Sequence, residues 1–129
     1  KQIKTGQIRI PGSGNYSIQP ISIDDVVKII FNAITQNNFS KMILDLVGSE
    51  SFTFQKYVKE FSRGTNTKIK KINLETVYHQ AISNPKSEFG VDDLNLLIGD
   101  FKGDYKKLKN ISKIKFSSVS KLLKSGSLL

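Results

Sequence analysis

The chain has 129 residues, enough for one domain with a hydrophobic core, and its 38% hydrophobic and 24% charged residues are ordinary for a soluble globular protein. It contains no cysteine and a single histidine, which excludes disulfides, thiolate zinc sites, cysteine nucleophiles and histidine metal clusters. No apolar run approaches the roughly 18 residues of a membrane helix and no signal peptide is visible, so we expect a cytoplasmic protein without a membrane span.

Positive charge is concentrated near the C-terminal end of the sequence. Lysine and arginine number 20 against 11 aspartates and glutamates, a net charge of +9, and residues 102–129 hold eight lysines against one aspartate. Such a segment can bind nucleic acid or an anionic membrane surface, or its lysines can simply solvate helix faces. Its only aromatic residues, Tyr105 and Phe116, are too sparse for base stacking, so we expect no specific nucleic-acid binding.

The first predicted elements are extended. Residues 7–10 form a short strand that ends at a proline–glycine turn. Residues 17–23 read as a second extended segment, which we expect at a sheet edge or only partly paired, because Pro20 lacks a backbone donor.

A helix is the next predicted element. Ser22 and Asp25 match the serine-x-x-acid capping box, which predicts a helix that begins within two residues of Asp24. We expect the Asp25 carboxylate to cap this helix through its first-turn amides. The predicted core face of the helix consists of Val26, Ile30, Ala33 and Ile34.

The middle of the chain continues the alternation of strands and helices. Residues 42–47 predict a mostly apolar strand stopped by Gly48, and residues 68–74 predict another strand. Thr53 can cap a helix with apolar residues at helical spacing. The apolar positions of that helix are Phe54, Tyr57, Val58 and Phe61.

Further helices are predicted in the remaining sequence. Apolar positions at helical spacing begin at Leu74 and at Val91, and a short last helix is expected from Ser117 or Ser118 through Leu123. The lysine-rich stretch after Gly103 is expected to be a mobile connection. Residues 1–129 are therefore predicted to form a single small α/β domain, with a sheet of two to four strands and about four or five helices.

A glycine motif follows the first strand. Gly12-Ser13-Gly14 is a fragment of the glycine signature of nucleotide-binding loops. A dinucleotide-binding loop opens directly into a helix whose N-terminus meets the pyrophosphate. Here an extended segment follows and the third glycine is missing, so we expect this chain to bind no NAD or NADP by itself.

The sequence gives only weak support for any catalytic residue. Tyr105 and Lys109 match Tyr-x-x-x-Lys, in which a lysine lowers the pKa of a catalytic tyrosine, but lysine is frequent throughout this region. The pairs at residues 24–25 and 92–93 are adjacent carboxylates, which point about 100° apart on a helix and are explained by helix capping. No catalytic or metal-binding residue is predicted in this chain alone.

Two passages together resemble a known family. IRIPGSG at residues 8–14 and QPISIDDVV at residues 19–27 resemble a characteristic passage of extended and atypical short-chain dehydrogenase/reductases, which include NAD-dependent epimerases/dehydratases acting on nucleotide sugars. The apolar stretch ending at Gly48, followed by SFTF at residues 51–54, is similar to the segment that comes next in this family. The resemblance covers about residues 7–62.

The resemblance implies that this chain is the C-terminal substrate-binding lobe of a longer Rossmann-type protein and is not catalytic in isolation. The sequence begins at Lys1 rather than methionine, which is compatible with a processed or excised piece. The implied partners are a small-molecule substrate, such as a nucleotide sugar, and an N-terminal dinucleotide-binding domain that carries NAD or NADP together with the catalytic tyrosine–lysine pair.

The resemblance also implies substrate-contact residues, with one departure. They are Asn15, Tyr16, Ile18 and Gln19, although this loop could equally be a plain connector. In the family an arginine after the glycine turn grips the substrate diphosphate, whereas Ile18 stands at that place here. The following Gln19-Pro20 is more like the atypical, NmrA-like or reductase-like members. The alternative function is a non-enzymatic module that binds anions or partners through residues 102–129.

Overall fold

The computed structural model describes residues 6–125 and has a small α/β architecture. Within this range the strands are β1 (Gln7–Pro11), β2 (Ser17–Ile18), β3 (Phe52–Thr53) and β4 (Lys68–Ile72). The helices are α1 (Ile23–Thr35), α2 (Phe54–Phe61), α3 (Leu74–Ser83), α4 (Val91–Leu97), α5 (Tyr105–Ser112) and α6 (Val119–Ser125), with a short 3-10 helix at Asn37–Phe39. The α/β class and the small sheets agree with the prediction, and the described helices exceed the predicted number.

The described chain divides into two compact units. The first unit contains residues 6–17 and 53–100, and the second contains residues 18–52 and 101–125. The strands form two-stranded sheets, β1 with β4 and β2 with β3. The organisation of the whole chain as a single domain stays a prediction.

The first unit is built on the parallel pairing of β1 and β4. The register runs from Gln7 opposite Lys68 to Pro11 opposite Ile72, which confirms the two strands predicted there. Successive strand residues point to opposite faces, so Ile8 and Ile10 share one face of β1, and both are buried. The apolar cluster of this unit consists of Ile8, Ile10, Tyr16 and Val58, with Phe54, Ile69, Leu97 and Ile98 packed against it.

The helices of the first unit begin at identifiable caps. The Thr53 hydroxyl accepts a hydrogen bond from the Lys56 N–H at 3.2 Å, which confirms its predicted capping role. Asn73 caps α3 in the same way. At α4 the Asp93 carboxylate accepts from the Gly90 N–H at 2.9 Å, so this aspartate serves the helix start, as predicted. The apolar residues predicted for α2 are all buried or half-buried.

The second unit contains α1, α5 and α6. Helix α1 begins at Ile23, as predicted, and the Ser22 hydroxyl accepts from the Asp25 N–H at 3.2 Å. Helix α6 also confirms the predicted last helix, with Val119 and Leu123 buried.

The expected mobile connection after Gly103 is wrong, because residues 105–112 form α5. The Asp104 carboxylate accepts from the Lys107 N–H at 2.9 Å and caps this helix. Leu108 and Ser112, one helical turn apart, are buried on its inner side. Lysine is the commonest residue in the helix, so few apolar residues mark its inner side. This explains why the sequence pattern did not predict the helix.

The strand predicted at residues 42–47 is also wrong. These residues belong to no strand, although their sequence is apolar enough for one. A strand requires a partner for its backbone groups, and no described segment pairs with this one.

Helix α1 turns a different face inward from the one predicted. Asp25 and Ile29 are buried and Asn32 is half-buried, one stripe at spacings of four and three residues. Of the predicted core residues, Val26 is half-buried, whereas Ile30, Ala33 and Ile34 are exposed. Apolar residues lie on nearly every side of α1, so their spacing could not identify the inner face.

Candidate functional site

The glycine turn at residues 12–14 links β1 to β2. Gly12 and Gly14 have φ values of 68° and 70°, in the left-handed region that favours glycine. A Cβ atom on Gly14 would stand 3.0 Å from Ile10 Cγ2 and 3.2 Å from Gln55 Cβ, so close packing also requires glycine there. These two glycines therefore shape a turn on the core of the first unit.

Tyr16 anchors the loop that follows this turn. Its side chain is 9% exposed, its hydroxyl donates to the Pro11 carbonyl at 3.3 Å, and its ring stacks on Phe54 with centroids 5.3 Å apart. Burial raises the pKa of Tyr16 to about 12, so the hydroxyl stays protonated at neutral pH. The structure gives Tyr16 a packing role, and its predicted contact with substrate stays a prediction.

Asn15 is the exposed residue of the same loop. Its backbone N–H donates to the Ser13 hydroxyl at 3.1 Å, and the neighbouring carbonyls of Gly14 and Tyr16 accept from Gln55 and Phe54. The backbone around Asn15 is therefore fixed while its side chain faces solvent. Among the predicted contact residues in the first unit, Asn15 has the accessible side chain.

The first unit also contains a groove of about 430 Å³ that sequence reasoning missed. It is lined by Glu88, Phe89, Asp93, Leu96 and Leu97. Three apolar side chains thus lie beside two carboxylates, which can accept hydrogen bonds from a ligand.

Two contacts fix the walls of this groove. Arg9 Nη1 donates to Glu88 Oε2 at 2.9 Å, which orients the carboxylate. Leu97 packs against the apolar cluster of the first unit, so that wall rests on rigid structure. The sequence signal that could have indicated the groove is the mixture of acidic and apolar residues at residues 88–97, a mixture that also fits an ordinary helix start.

Gln19 joins three segments of the second unit. Its amide nitrogen donates to the Gly48 carbonyl at 2.9 Å, and its amide oxygen accepts from the Gly103 N–H at 3.0 Å. A Cβ on Gly48 would collide with the Pro20 carbonyl oxygen, so only glycine permits this approach. Ile18 is half-buried and bridges to Phe101. For both predicted residues the substrate contact stays a prediction.

Asp25 has a role that differs from the predicted cap. Its carboxylate is buried and accepts from the Ser117 N–H at 2.7 Å and from the Ser117 hydroxyl at 3.1 Å. Lys28 Nζ lies 3.5 Å from the same carboxylate. The helix cap is Ser22, so the predicted capping role of Asp25 is wrong: its carboxylate ties α1 to the segment before α6.

Glu50 holds the start of α6. Its two carboxylate oxygens accept from the Ser120 N–H at 2.7 Å and from the Ser118 hydroxyl at 3.2 Å. Burial alone would raise the pKa of Glu50, but the hydrogen bonds from Ser120 and Ser118 outweigh it and lower that pKa below its usual value. Asp25 and Glu50 therefore act as two carboxylate links to the same segment.

The second unit leaves two apolar features exposed. The first, which we call the apolar helix face, consists of Ile23, Val27, Ile30 and Ile34 on α1. At 100° per residue this face lies opposite the buried stripe that contains Ile29. The second is the apolar segment at residues 42–47, in which Met42, Ile43 and Leu46 are exposed. Exposed apolar surfaces of this kind are typical of interfaces.

The fold and these features define a small α/β chain with a mixed acidic and apolar groove and an exposed apolar helix. Comparison with protein-family models, with curated proteins and with solved structures finds no match for it. No helix within residues 6–125 is long and apolar enough to cross a membrane.

Proposed function

We propose that this chain is the substrate-binding lobe of an NAD(P)-dependent epimerase/dehydratase-like or atypical reductase-like protein. A separate dinucleotide-binding domain would supply NAD or NADP and the catalytic tyrosine–lysine pair, so that the chain alone is not catalytic. The observation that carries the proposal is the exposed apolar surface of the second unit, which the dinucleotide-binding domain would cover.

The chemistry of that surface supports a sheet-containing partner. A partner can bury the side chains of the apolar helix face. Each Å² of apolar surface removed from water contributes about 25 cal/mol of favourable free energy. In the apolar segment, residues 42–46 make few backbone hydrogen bonds within residues 6–125, although Lys107 Nζ donates to the Ile43 carbonyl. The backbone groups of such a segment can pair with the edge of a sheet in another domain. A dinucleotide-binding domain has such a sheet, flanked by helices.

The groove of the first unit supports a hydroxylated substrate. Phe89, Leu96 and Leu97 offer apolar contact to the C–H face of a sugar ring. The carboxylates of Glu88 and Asp93 can accept hydrogen bonds from sugar hydroxyls. We therefore assign the sugar part of the substrate to this groove. A second contact would come from the exposed side chain of Asn15.

The first experiment concerns the cofactor. The parent reading frame should encode a Gly-x-x-Gly-x-x-Gly motif and a Tyr-x-x-x-Lys pair upstream of this chain, and calorimetry should detect NAD or NADP binding to the full-length protein. The isolated chain should show none, because its glycine turn leads into β2 and not into a helix. Micromolar cofactor binding by the isolated chain, or a parent without either motif, would contradict the proposal.

The second experiment concerns the groove. In the full-length protein, Leu96→Ala should weaken binding of the probe UDP-glucose, because Leu96 lines the groove. Ile82→Ala is the matched control, since Ile82 is an equally exposed apolar residue of the same unit outside the groove. Loss of one leucine contact corresponds to about 1–3 kcal/mol, roughly 5- to 150-fold in Kd. Equal effects of the two substitutions would reject the groove as the substrate site.

A further inference from the structure

Three exposed lysines lie along α5 and its C-cap. Lys106 and Lys109 lie on α5, three residues apart, and Lys113 is the C-cap residue, whose N–H donates to the Lys109 carbonyl at 3.0 Å. The three therefore lie along the same side and span about 10 Å at 1.5 Å per residue. All three are exposed, whereas Leu108 on the other side is buried. We call this row the α5 lysine face.

The N-terminal end of this arrangement is not favoured by the helix dipole. Lys106 and the neighbouring Lys107 lie in the first turn, where the helix dipole disfavours positive charge. Lys109 lies in the last turn and Lys113 at the C-cap, where the dipole favours positive charge, although the two like charges are only four residues apart. Lys113 has a φ of 53°, a left-handed conformation that usually calls for glycine. Lys106 and Lys113 therefore occupy positions that other residue types would suit better, as is expected more often at functional sites.

No carboxylate within residues 6–125 forms an ion pair with these lysines. Arg9, Lys28 and Arg63, in contrast, each lie within ion-pair distance of a carboxylate. The positive charge of the α5 lysine face is therefore directed at solvent and can meet an external anion.

The composition of this face selects the kind of anion. Between its lysines lies the polar Asn110, while Tyr105 packs edge-to-face on Phe116 with centroids 5.0 Å apart. The face thus offers no apolar side chain to insert into a membrane and no aromatic ring to stack on unpaired bases. Successive phosphates of a nucleic-acid duplex need neither of these.

We propose that the α5 lysine face binds the phosphate backbone of duplex nucleic acid without sequence preference. Each lysine would neutralise a phosphate and release a counterion, so affinity should fall with salt by a slope of about 0.9 for each phosphate contacted. Three contacts predict a roughly 40-fold loss of affinity between about 50 mM and about 200 mM salt. This activity goes beyond substrate binding and involves other residues.

The experiment measures fluorescence anisotropy of a short labelled DNA duplex of mixed sequence against the 129-residue chain. The variant Lys106→Gln/Lys109→Gln/Lys113→Gln should bind at least about tenfold more weakly at low salt, with a salt slope smaller by about three. The matched control is Lys68→Gln/Lys70→Gln/Lys71→Gln on β4, which removes the same charge from other exposed positions. This control variant should keep most of the affinity for the duplex. Replacing the three lysines of the α5 lysine face by arginine should keep that affinity as well.

Several results would overturn the proposal. Equal losses in the two triple variants would assign the binding to net charge alone. Binding to phosphatidylserine vesicles but not to the duplex would make the face a membrane site. Submicromolar binding of one duplex sequence over others would contradict a backbone-only contact, and an absence of binding at low salt would reject the proposal outright. Circular dichroism of each variant separates these outcomes from loss of folding.

Discussion

Each of the two units is stabilised internally by a different set of contacts. In the first unit, strands and helices bury apolar side chains around Ile8, Ile10, Tyr16 and Val58. In the second unit, hydrogen bonds to carboxylates also join segments that are distant in sequence. The Asp25 carboxylate accepts from Ser117, and the Glu50 carboxylate accepts from Ser120. The apolar side chains of its longest helix point largely to solvent.

This difference separates a unit built around one apolar cluster from a unit that buries apolar side chains and adds polar links between them. Burial of apolar surface is the dominant favourable contribution to folding, and the first unit uses its apolar residues in this way. The second unit also buries apolar side chains such as Leu108, but it directs Asp25 inward as well and leaves Val27, Ile30 and Ile34 outside. Helix α1 is therefore joined to its own unit partly by hydrogen bonds and leaves an apolar face exposed, which the proposed function assigns to a partner domain.

The largest expected effect tests the core of the first unit. Ile10 is fully buried, so Ile10→Ala should lower the free energy of unfolding by about 2–5 kcal/mol through lost burial and an unfilled cavity. Ile43→Ala in the second unit should change it by no more than about 0.5 kcal/mol, because Ile43 is 91% exposed. Urea denaturation measures both. Should Ile10→Ala fail to fold, Ile10→Val offers a smaller loss of about 0.5–1.5 kcal/mol.

The second prediction tests the polar links of the second unit. Asp25→Ala should cost about 1–3 kcal/mol, because the Ser117 N–H loses its acceptor in a buried place. Asp24→Ala is the matched control: this neighbouring carboxylate is exposed and contributes only about 0.3–1 kcal/mol through the helix dipole. Thermal unfolding should therefore show a clearly larger loss of stability for Asp25→Ala than for Asp24→Ala. Equal costs would mean that the carboxylate of Asp25 acts only on its own helix.

Local signals predicted much of the fold. The caps at Ser22, Thr53 and Asp93 and the strands β1 and β4 follow from residue type and spacing alone, because each is decided by neighbours within a few residues. The errors at α1 and at residues 42–47 depended on distant partners, whereas α5 was missed because lysines dominate its sequence. The inner face of α1 is set by bonds to residues about 80–90 positions away, as between Asp25 and Ser117, and no periodicity in α1 contains that information.

The candidate sites were less predictable than the fold. The loop at Asn15 was identified through family resemblance, but the groove with Glu88 and Asp93 was not, since acids near a helix start are already explained by capping. The α5 lysine face was hidden because the helix itself was not recognised. Lysine-rich sequence shows where charge is, and only the backbone shows that the charges share a face.

The third prediction concerns pH. Glu50 has a lowered pKa in the folded chain, so its bonds to Ser118 and Ser120 stabilise the fold above the usual carboxyl pKa of about 4.3. That contribution is lost as the pH falls through the lower, folded pKa. The stability difference between wild type and Glu50→Gln should therefore be constant near neutral pH and shrink in acid. Glu75→Gln, at an exposed glutamate, should give no such trend. A pH-independent difference for Glu50 would contradict the assignment.

The smallest expected effect on stability is the most informative about the partner. Ile34 is 80% exposed on the apolar helix face, so Ile34→Gln should change the free energy of unfolding of the isolated chain by no more than about 0.5 kcal/mol. Ile29→Gln, on the buried side of the same helix, should cost several times more, since it buries an amide. In the full-length protein the gap between the two variants should narrow, because the proposed dinucleotide-binding domain would cover Ile34. There Ile34→Gln should cost about 1.4 kcal/mol or more, a tenfold change in the docking equilibrium. Limited proteolysis between the two parts measures this docking. If Ile34→Gln leaves the full-length protein as resistant as wild type, the apolar helix face is not the docking surface, and the difference between the two units has another cause.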